Sequence, residues 1–268
     1  MKIGIIGKLS KIKDANVLST FVCDLQKRGY ETVIFSTYAD VKDVDILVVL
    51  GGDGAILHAT TVAAPQGIKV IGVNYGNVGF LTEFERDGLS SVADLIAAVE
   101  KQGCKILQRS MLQVCIDGER YYALNEVALQ RDYASGLIDN PQILHLSVQA
   151  GDGAVDIAGD GALLSTPTGS TAYSLSAGGA ILTPEVPVFM LTPVCAFSMS
   201  ARPMVFSDEE TFVFRVEKGK ALLLVDGKTV SSVCQGDEIT VQKTPFYALF
   251  PTRNETNFFT KIKNKLSK

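Results

Sequence analysis

Histidine is almost missing from this 268-residue chain, with only His58 and His145, so a histidine-built metal site is nearly excluded. The five cysteines (Cys23, Cys104, Cys115, Cys195, Cys234) are odd in number and scattered. With no CxxC pair among them, neither a disulfide framework nor a zinc ribbon is supported. A basic excess is also lacking: 25 Lys and Arg against 29 Asp and Glu leave a net charge of −4, which argues against a general nucleic-acid partner. No apolar run reaches membrane-spanning length, and the first, Ile3–Ile6, is too short for a secretory signal. The expectation is a cytoplasmic chain with no membrane partner. Familiar nucleotide and nucleophile signatures are absent too. After Gly52-Asp53-Gly54 the third glycine of a dinucleotide fingerprint is replaced by Leu57. Ahead of Gly227-Lys228-Thr229 the first glycine of a Walker loop is replaced by Leu222, and Gly-x-Ser-x-Gly does not occur.

What is present divides into two grammars. Over residues 1–104, short apolar strands at Ile3–Ile6, Thr32–Phe35, Asp45–Leu50 and Lys69–Val73 alternate with amphipathic helices at Asp14–Arg28, Ala55–Ala64 and Ser90–Lys101. Continuous apolar strands between helices predict a parallel, Rossmann-like sheet covered on both faces. Over residues 105–250 short strands follow one another closely, parted by turns such as Asp117-Gly118 and Asp226-Gly227, and one helix is predicted over Thr171–Ala177. This half reads as mainly antiparallel and sandwich-like. The tail, residues 251–268, holds Lys261, Lys263, Lys265 and Lys268, read as the solvated face of a helix returning to the first domain.

Four segments have the composition of a nucleotide site. Gly51-Gly52-Asp53-Gly54 lies between a buried strand and a helix, where close backbone approach and a helix N-terminus suit a phosphate. A carboxylate among phosphates is electrostatically unfavourable. Asp53 is therefore either a proton acceptor or partner to a phosphate-bound metal, or it simply caps the helix. Gly72–Glu83 follows the next strand, at the sheet edge where ligands collect. Asn125-Glu126 joins an amide suited to a base edge with a carboxylate suited to ribose hydroxyls, and both can serve one ligand only at a strand end or bulge. Gly159-Asp160-Gly161 and the run Ser165–Gly179 crowd small and hydroxyl residues at a helix start, where Tyr173 offers a stacking face.

Together these segments closely resemble the bacterial NAD kinase family. The matching pieces are Gly51-Gly52-Asp53-Gly54, Asn77-Val78-Gly79-Phe80-Leu81-Thr82-Glu83, Asn125-Glu126 and Ser165–Gly179, in that order. The resemblance implies phosphorylation of the adenosine ribose 2′-hydroxyl of NAD to form NADP. It also implies ATP or polyphosphate as donor, a divalent metal (Mg²⁺ with the triphosphate) and a homodimer or homotetramer. Asp53 takes the proton-acceptor position, with Gly51, Gly52 and Gly54 as the phosphate loop. Asp53, Gly54, His58, Asn125, Glu126, Asp160, Thr168, Thr171, Ala172, Tyr173, Ser174, Leu175 and Ser176 fall on NAD-contacting positions. Three departures stand out: Ala158 where many members are basic, Cys195-Ala196-Phe197-Ser198 where others show Pro-His-Ser, and Lys228 after Asp226-Gly227 where glutamine is frequent.

Overall fold

The isoleucines and valines of β1 (Lys2–Gly7) and β3 (Ile46–Gly51) have no exposed surface or nearly none, as expected of strands covered on both faces. The computed structural model describes residues 1–7, 15–75, 79–85, 88–133, 143–198, 201–253 and 258–266. Asp14, Gly76, Asn77, Val78 and Lys268 lie outside the described residues. Between and after these strands come α1 (Ala15–Lys27), β2 (Glu31–Phe35), α2 (Asp53–Ala63), β4 (Lys69–Asn74), β5 (Phe84–Glu85), α3 (Leu89–Glu100) and β6 (Lys105–Arg109).

The chain then runs through β7 (Leu112–Ile116), β8 (Glu119–Ala123), β9 (Glu126–Arg131), β10 (Leu144–Ala150), β11 (Gly153–Gly159) and β12 (Gly161–Ser165). A short helix α4 (Tyr173–Ser176) follows, and then β13 (Val188–Val194), β14 (Met204–Ser207), β15 (Phe212–Lys218), β16 (Lys220–Val225), β17 (Lys228–Cys234) and β18 (Glu238–Lys243). The last elements are β19 (Ala248–Thr252) and α5 (Phe258–Leu266).

Two compact units result. The first comprises Met1–Arg109 and Phe246–Lys268. Its sheet runs β2-β1-β3-β4-β19-β6, with β5 on β4, and it is parallel except where β6 meets β19. Ile46, Val48, Ile71 and Val73 share a core with Phe21 and Leu25 of α1 and with Val92, Leu95 and Ile96 of α3. The opposite face is covered by α2: a side chain at Gly72 would run into Ile56 at 2.3 Å. Both faces are thus closed, and the free edge is the row of strand C-termini. The order reverses between β1 and β3, and ligands of such sheets collect beyond the strand ends at that reversal.

The second unit, Ser110–Pro245, is a sandwich of two antiparallel six-stranded sheets, β11-β10-β15-β18-β7-β8 and β14-β13-β12-β9-β16-β17. Alternate residues of both sheets meet in one core, including Leu112, Val114, Phe212 and Phe214 from the first with Val127, Leu129, Leu164 and Leu223 from the second. This is the fold class that the strand patterns predict. The boundaries differ from 104/105 and 250/251, because β6 and β19 pair with each other and extend the parallel sheet. An apolar strand carries no mark of which sheet it will join. The tail helix α5 belongs to the first unit, and Lys263 on it is exposed. Among the described residues no helix is long and apolar enough to cross a membrane.

Candidate active site

In the first unit β3 ends at Gly51 and α2 begins at Asp53, just beyond the strand order's reversal. The helix N-cap is Gly52, which has no side chain to offer, and Asp53 is the first helical residue. Asp53 Oδ2 accepts a hydrogen bond from the Phe80 amide at 2.7 Å and Oδ1 one from the Leu81 amide at 3.1 Å. The carboxylate thus faces the backbone of Phe80 and Leu81. Gly79 permits the approach, since a Cβ there would stand 2.0 Å from Asp53 Oδ1. At Gly52 and Gly54, by contrast, a Cβ would meet nothing within 4 Å, so the protein itself does not require glycine there. Open space at an uncapped helix N-terminus is what a phosphate needs. Each carboxylate oxygen accepts more than one bond, so the two amides orient Asp53 without exhausting it.

His58 sits elsewhere on α2. Five residues from Asp53 is about 140° around a helix, and its ring lies against Tyr38 with centroids 4.1 Å apart. Glu83, at the end of the second motif, has a structural place: it accepts bonds from the Thr252 hydroxyl at 2.7 Å and the Arg253 amide at 3.2 Å.

In the second unit Glu126 is the first residue of β9 and Asn125 precedes it, so the pair lies at a strand end. Thr166 locks this corner to the hydroxyl-rich loop. Its amide donates to the Asn125 carbonyl at 2.9 Å and its hydroxyl to the Leu124 carbonyl at 2.5 Å. Gly169 rests against the same carbonyl, where a Cβ would stand 2.0 Å from the Asn125 oxygen. The loop continues as a single 3-10 turn (Gly169–Thr171) and then the four-residue α4, in place of the predicted longer helix. Many of its hydroxyls serve the fold. Ser170 donates to the Pro167 carbonyl at 2.7 Å, and Thr171 to the Thr168 carbonyl at 3.3 Å. Ser174 is fully buried with its hydroxyl 3.0 Å from that of Thr192. That pair clamps α4 to β13. Thr168, Thr171, Ala172, Tyr173 and Leu175 are half-buried and Ser176 is exposed, which leaves them surface to offer a ligand.

Glu126 is the unusual group. Its side chain is buried, and Oε2 has no hydrogen-bond partner among the described residues. Burial, and then the nearby Asp226 carboxylate, push its carboxyl up to about 8, against the pull of the Tyr173 amide. Tyr173 is raised as well, by burial first and then by Cys195, Asp160 and Glu126, so these residues share one neighbourhood. Asp160 pairs with Arg131 at 3.4 Å, and the Arg131 guanidinium lies 4.7 Å from the Tyr133 ring centroid. The sequence does not single out Arg131, and it marks Asp226 only as a turn residue ahead of the Lys228 departure. Arg131 belongs to no motif, and Asp226-Gly227 has the composition of an ordinary hairpin turn.

The description "ATP-NAD kinase N-terminal domain" matches residues 9–102, and "ATP-NAD kinase C-terminal domain" matches residues 124–251. The chain belongs to the NAD kinase family. Among its relatives, "NAD kinase 2" of Synechocystis sp. is 38% identical over 232 residues, covering 84% of this chain and 73% of that one. The NAD kinase of Methanothermobacter thermautotrophicus is 32% identical over 282 residues, covering 99% and 96%. Among solved structures, an NAD kinase from Archaeoglobus fulgidus in complex with ATP superposes with a TM-score of 0.79 at 27% identity, covering 98% of this chain and 99% of that one. Yeast NADH kinase complexed with NADH shares the fold, with a TM-score of 0.85 at 24% identity over 100% and 87%.

Within this NAD kinase fold the buried Glu126 should make stability depend on pH. Its folded value, about 8, lies above the ordinary 4.5. The group therefore favours the folded state below about pH 4.5, and that contribution is lost as pH rises through about 8. The thermal midpoint should fall between these limits, by on the order of 10 °C, and Glu126→Gln should flatten the fall. Differential scanning calorimetry at several pH values checks this, and equal slopes for parent and variant would show that Glu126 is not the group.

Proposed function

We propose that this chain transfers the terminal phosphate of ATP, or of another donor such as polyphosphate, to the 2′-hydroxyl of the adenosine ribose of NAD, giving NADP. The observation that carries the reading is Glu126 Oε2, a buried and unpartnered acceptor beside Asn125 at the mouth of a hydroxyl-rich loop. A buried carboxylate oxygen left without a donor is costly, and a ribose hydroxyl supplies the donor. Asn125 is proposed to take the base edge, with Thr168, Thr171, Ala172, Tyr173, Leu175 and Ser176 around the dinucleotide, so that recognition rests mainly on the adenosine half. The names of the relatives point the same way: the matched proteins are NAD kinases, and one structure holds ATP.

In the proposed step Asp53 accepts the proton of the ribose hydroxyl. The freed oxygen forms a bond to the terminal phosphorus, and the bond from that phosphorus to the bridging oxygen breaks. The shortened nucleotide leaves with the electron pair, and the proton passes from Asp53 to solvent. The two amide bonds from Phe80 and Leu81 hold the carboxylate in one orientation for this transfer.

A divalent cation, Mg²⁺ in the ordinary case, belongs to the proposal. Among the described residues no three His, Cys, Asp or Glu side chains gather into a cage. The cation would come with the triphosphate, whose oxygens supply its anchor. When bound it neutralises charge on the transferring phosphate. Purified protein with NAD, ATP and Mg²⁺ should form NADP, lose activity in chelator and regain it with Mg²⁺. Nucleotide-free protein should retain well under one metal equivalent after dialysis. A full equivalent would show a dedicated site, and NAD binding without turnover would make the chain a sensor. We propose a homodimer or homotetramer as well. The exposed Met204 and Val205 on the edge strand β14 support self-association, which sedimentation measures.

A further inference from the structure

The turn between β16 and β17 is bound to the ribose corner far more tightly than a surface hairpin needs. Asp226 Oδ1 accepts from the Asn125 amide at 2.8 Å and from the Glu126 amide at 3.1 Å, and Oδ2 accepts from the Leu124 amide at 2.9 Å. In return the Asp226 amide donates to the Glu126 carbonyl at 3.0 Å. One side chain thus gathers three successive amides from a segment about a hundred residues earlier in the chain. Asp226 holds a left-handed backbone, φ 46°, to do so. Hairpin turns favour Asp-Gly for their own geometry, but turn geometry alone does not require the carboxylate to reach another strand.

We propose that Asp226 is the positioning residue of the ribose subsite. It fixes the corner from which Asn125 and Glu126 meet the ligand, and its charge makes dinucleotide binding expel a proton from Glu126. The proposal rests on the NAD kinase reading for the ligand and on the hydrogen bonds for the positioning.

The location of the proton follows from the bonds. Both Asp226 oxygens are occupied by N–H donors, which favour the ionised form. Glu126 has the Tyr173 amide on its carboxyl and no partner on Oε2, and it stands beside a second carboxylate in a buried place. Burial also raises Asp226, while its three amides and Lys228 oppose that rise. The pair therefore holds its shared proton on Glu126. The charged and titratable groups facing this pair are Lys228 from β17 and Tyr173 from α4. Asp160 and Cys195 act further out, through Tyr173. When a ribose hydroxyl donates to Glu126, the carboxylate becomes the favoured form and its proton leaves to solvent.

The test compares parent, Asp226→Asn and Asp226→Ala. Asparagine keeps one oxygen, able to accept from the Asn125 and Glu126 amides, and removes the charge. Alanine removes both. NAD titration calorimetry between pH 6 and 9, in buffers of differing ionisation enthalpy, reads proton release. The parent should release a proton near neutral pH. Asp226→Asn should shift the pH dependence of NAD affinity downward by about one unit or more. Asp226→Ala should raise KM for NAD by on the order of tenfold or more, with kcat less affected. A residue that served folding alone would lower the thermal midpoint and leave the shape of the pH profile unchanged. Superimposable profiles for parent and Asp226→Asn overturn the proposal.

A further readout needs no ligand. Carboxyl carbon NMR of the free protein, with the Glu126 signal assigned by its loss in Glu126→Gln, should show the Glu126 midpoint falling in Asp226→Asn. An unmoved midpoint sinks the charge coupling. A moved midpoint with no NAD binding at any pH would leave the coupling standing and defeat the NAD kinase reading instead.

Discussion

Asp53→Asn is expected to cut turnover by about 10²–10⁴-fold while leaving KM for NAD and the thermal midpoint close to those of the parent. The size follows from the role: an amide cannot accept the hydroxyl proton, so the nucleophile must lose it to water. The structure adds a competing outcome that helix capping does not cover. Both oxygens of Asp53 hold amides of the Phe80-Leu81 segment. In the Asp53→Asn variant one of those oxygens becomes an NH₂ group facing an N–H, and the segment loses a tether. If tethering is all that Asp53 does, turnover, NAD affinity and thermal midpoint should decline together. A catalytic role instead lowers turnover by far more than it lowers NAD affinity or the thermal midpoint. Turnover within a few-fold of the parent would take Asp53 out of the chemistry altogether. Gly79→Ala supplies the converse perturbation. It keeps the carboxylate but drives a methyl group towards Asp53 Oδ1, where only 2.0 Å is available. It should displace the segment and weaken turnover through geometry.

Glu126→Gln is the other large effect expected, a loss of roughly 1.5–3 kcal/mol in NAD affinity, or about ten- to a hundredfold. Glutamine keeps the shape and replaces a charged acceptor by a neutral one. Because the free carboxyl titrates near 8, part of the parent's binding energy at neutral pH goes into removing a proton. The gap between parent and variant should therefore widen from pH 7 to pH 9, where the carboxylate is already formed. Calorimetric affinities at those two values check both the size and the trend. A gap that is absent, or that closes as pH rises, would place Glu126 outside the ribose contact.

Local chemistry made much of this protein legible in its sequence. The apolar run Ile46–Leu50 followed by Gly51-Gly52-Asp53-Gly54 specifies a buried strand, a turn and a helix start within nine residues, and the structure has them in that place. Adjacent strand residues face opposite ways, so Asn125 and Glu126 could serve one ligand only at a strand end or bulge, and they lie at a strand end. The change from helix-and-strand alternation to close-set strands announced the second architecture. Each of these signals has a period or span of a few residues, and side-chain size and backbone preference act over that range.

Only the tertiary structure decided which distant groups meet. Asp53 and the Phe80 amide are 27 residues apart, and Asp226 and the Asn125 amide are 101 apart. Arg131 and Asp160 come together because β9 and β12 pair, and the Ser174 hydroxyl is taken up by Thr192 because α4 settles over β13. The strands β6 and β19 enter the parallel sheet although the surrounding sequence reads as sandwich. A hydrogen-bond donor is the same in sequence whatever its partner. The partner is chosen when apolar faces are buried and every polar group carried inside must find another, and among the described residues Glu126 Oε2 finds none.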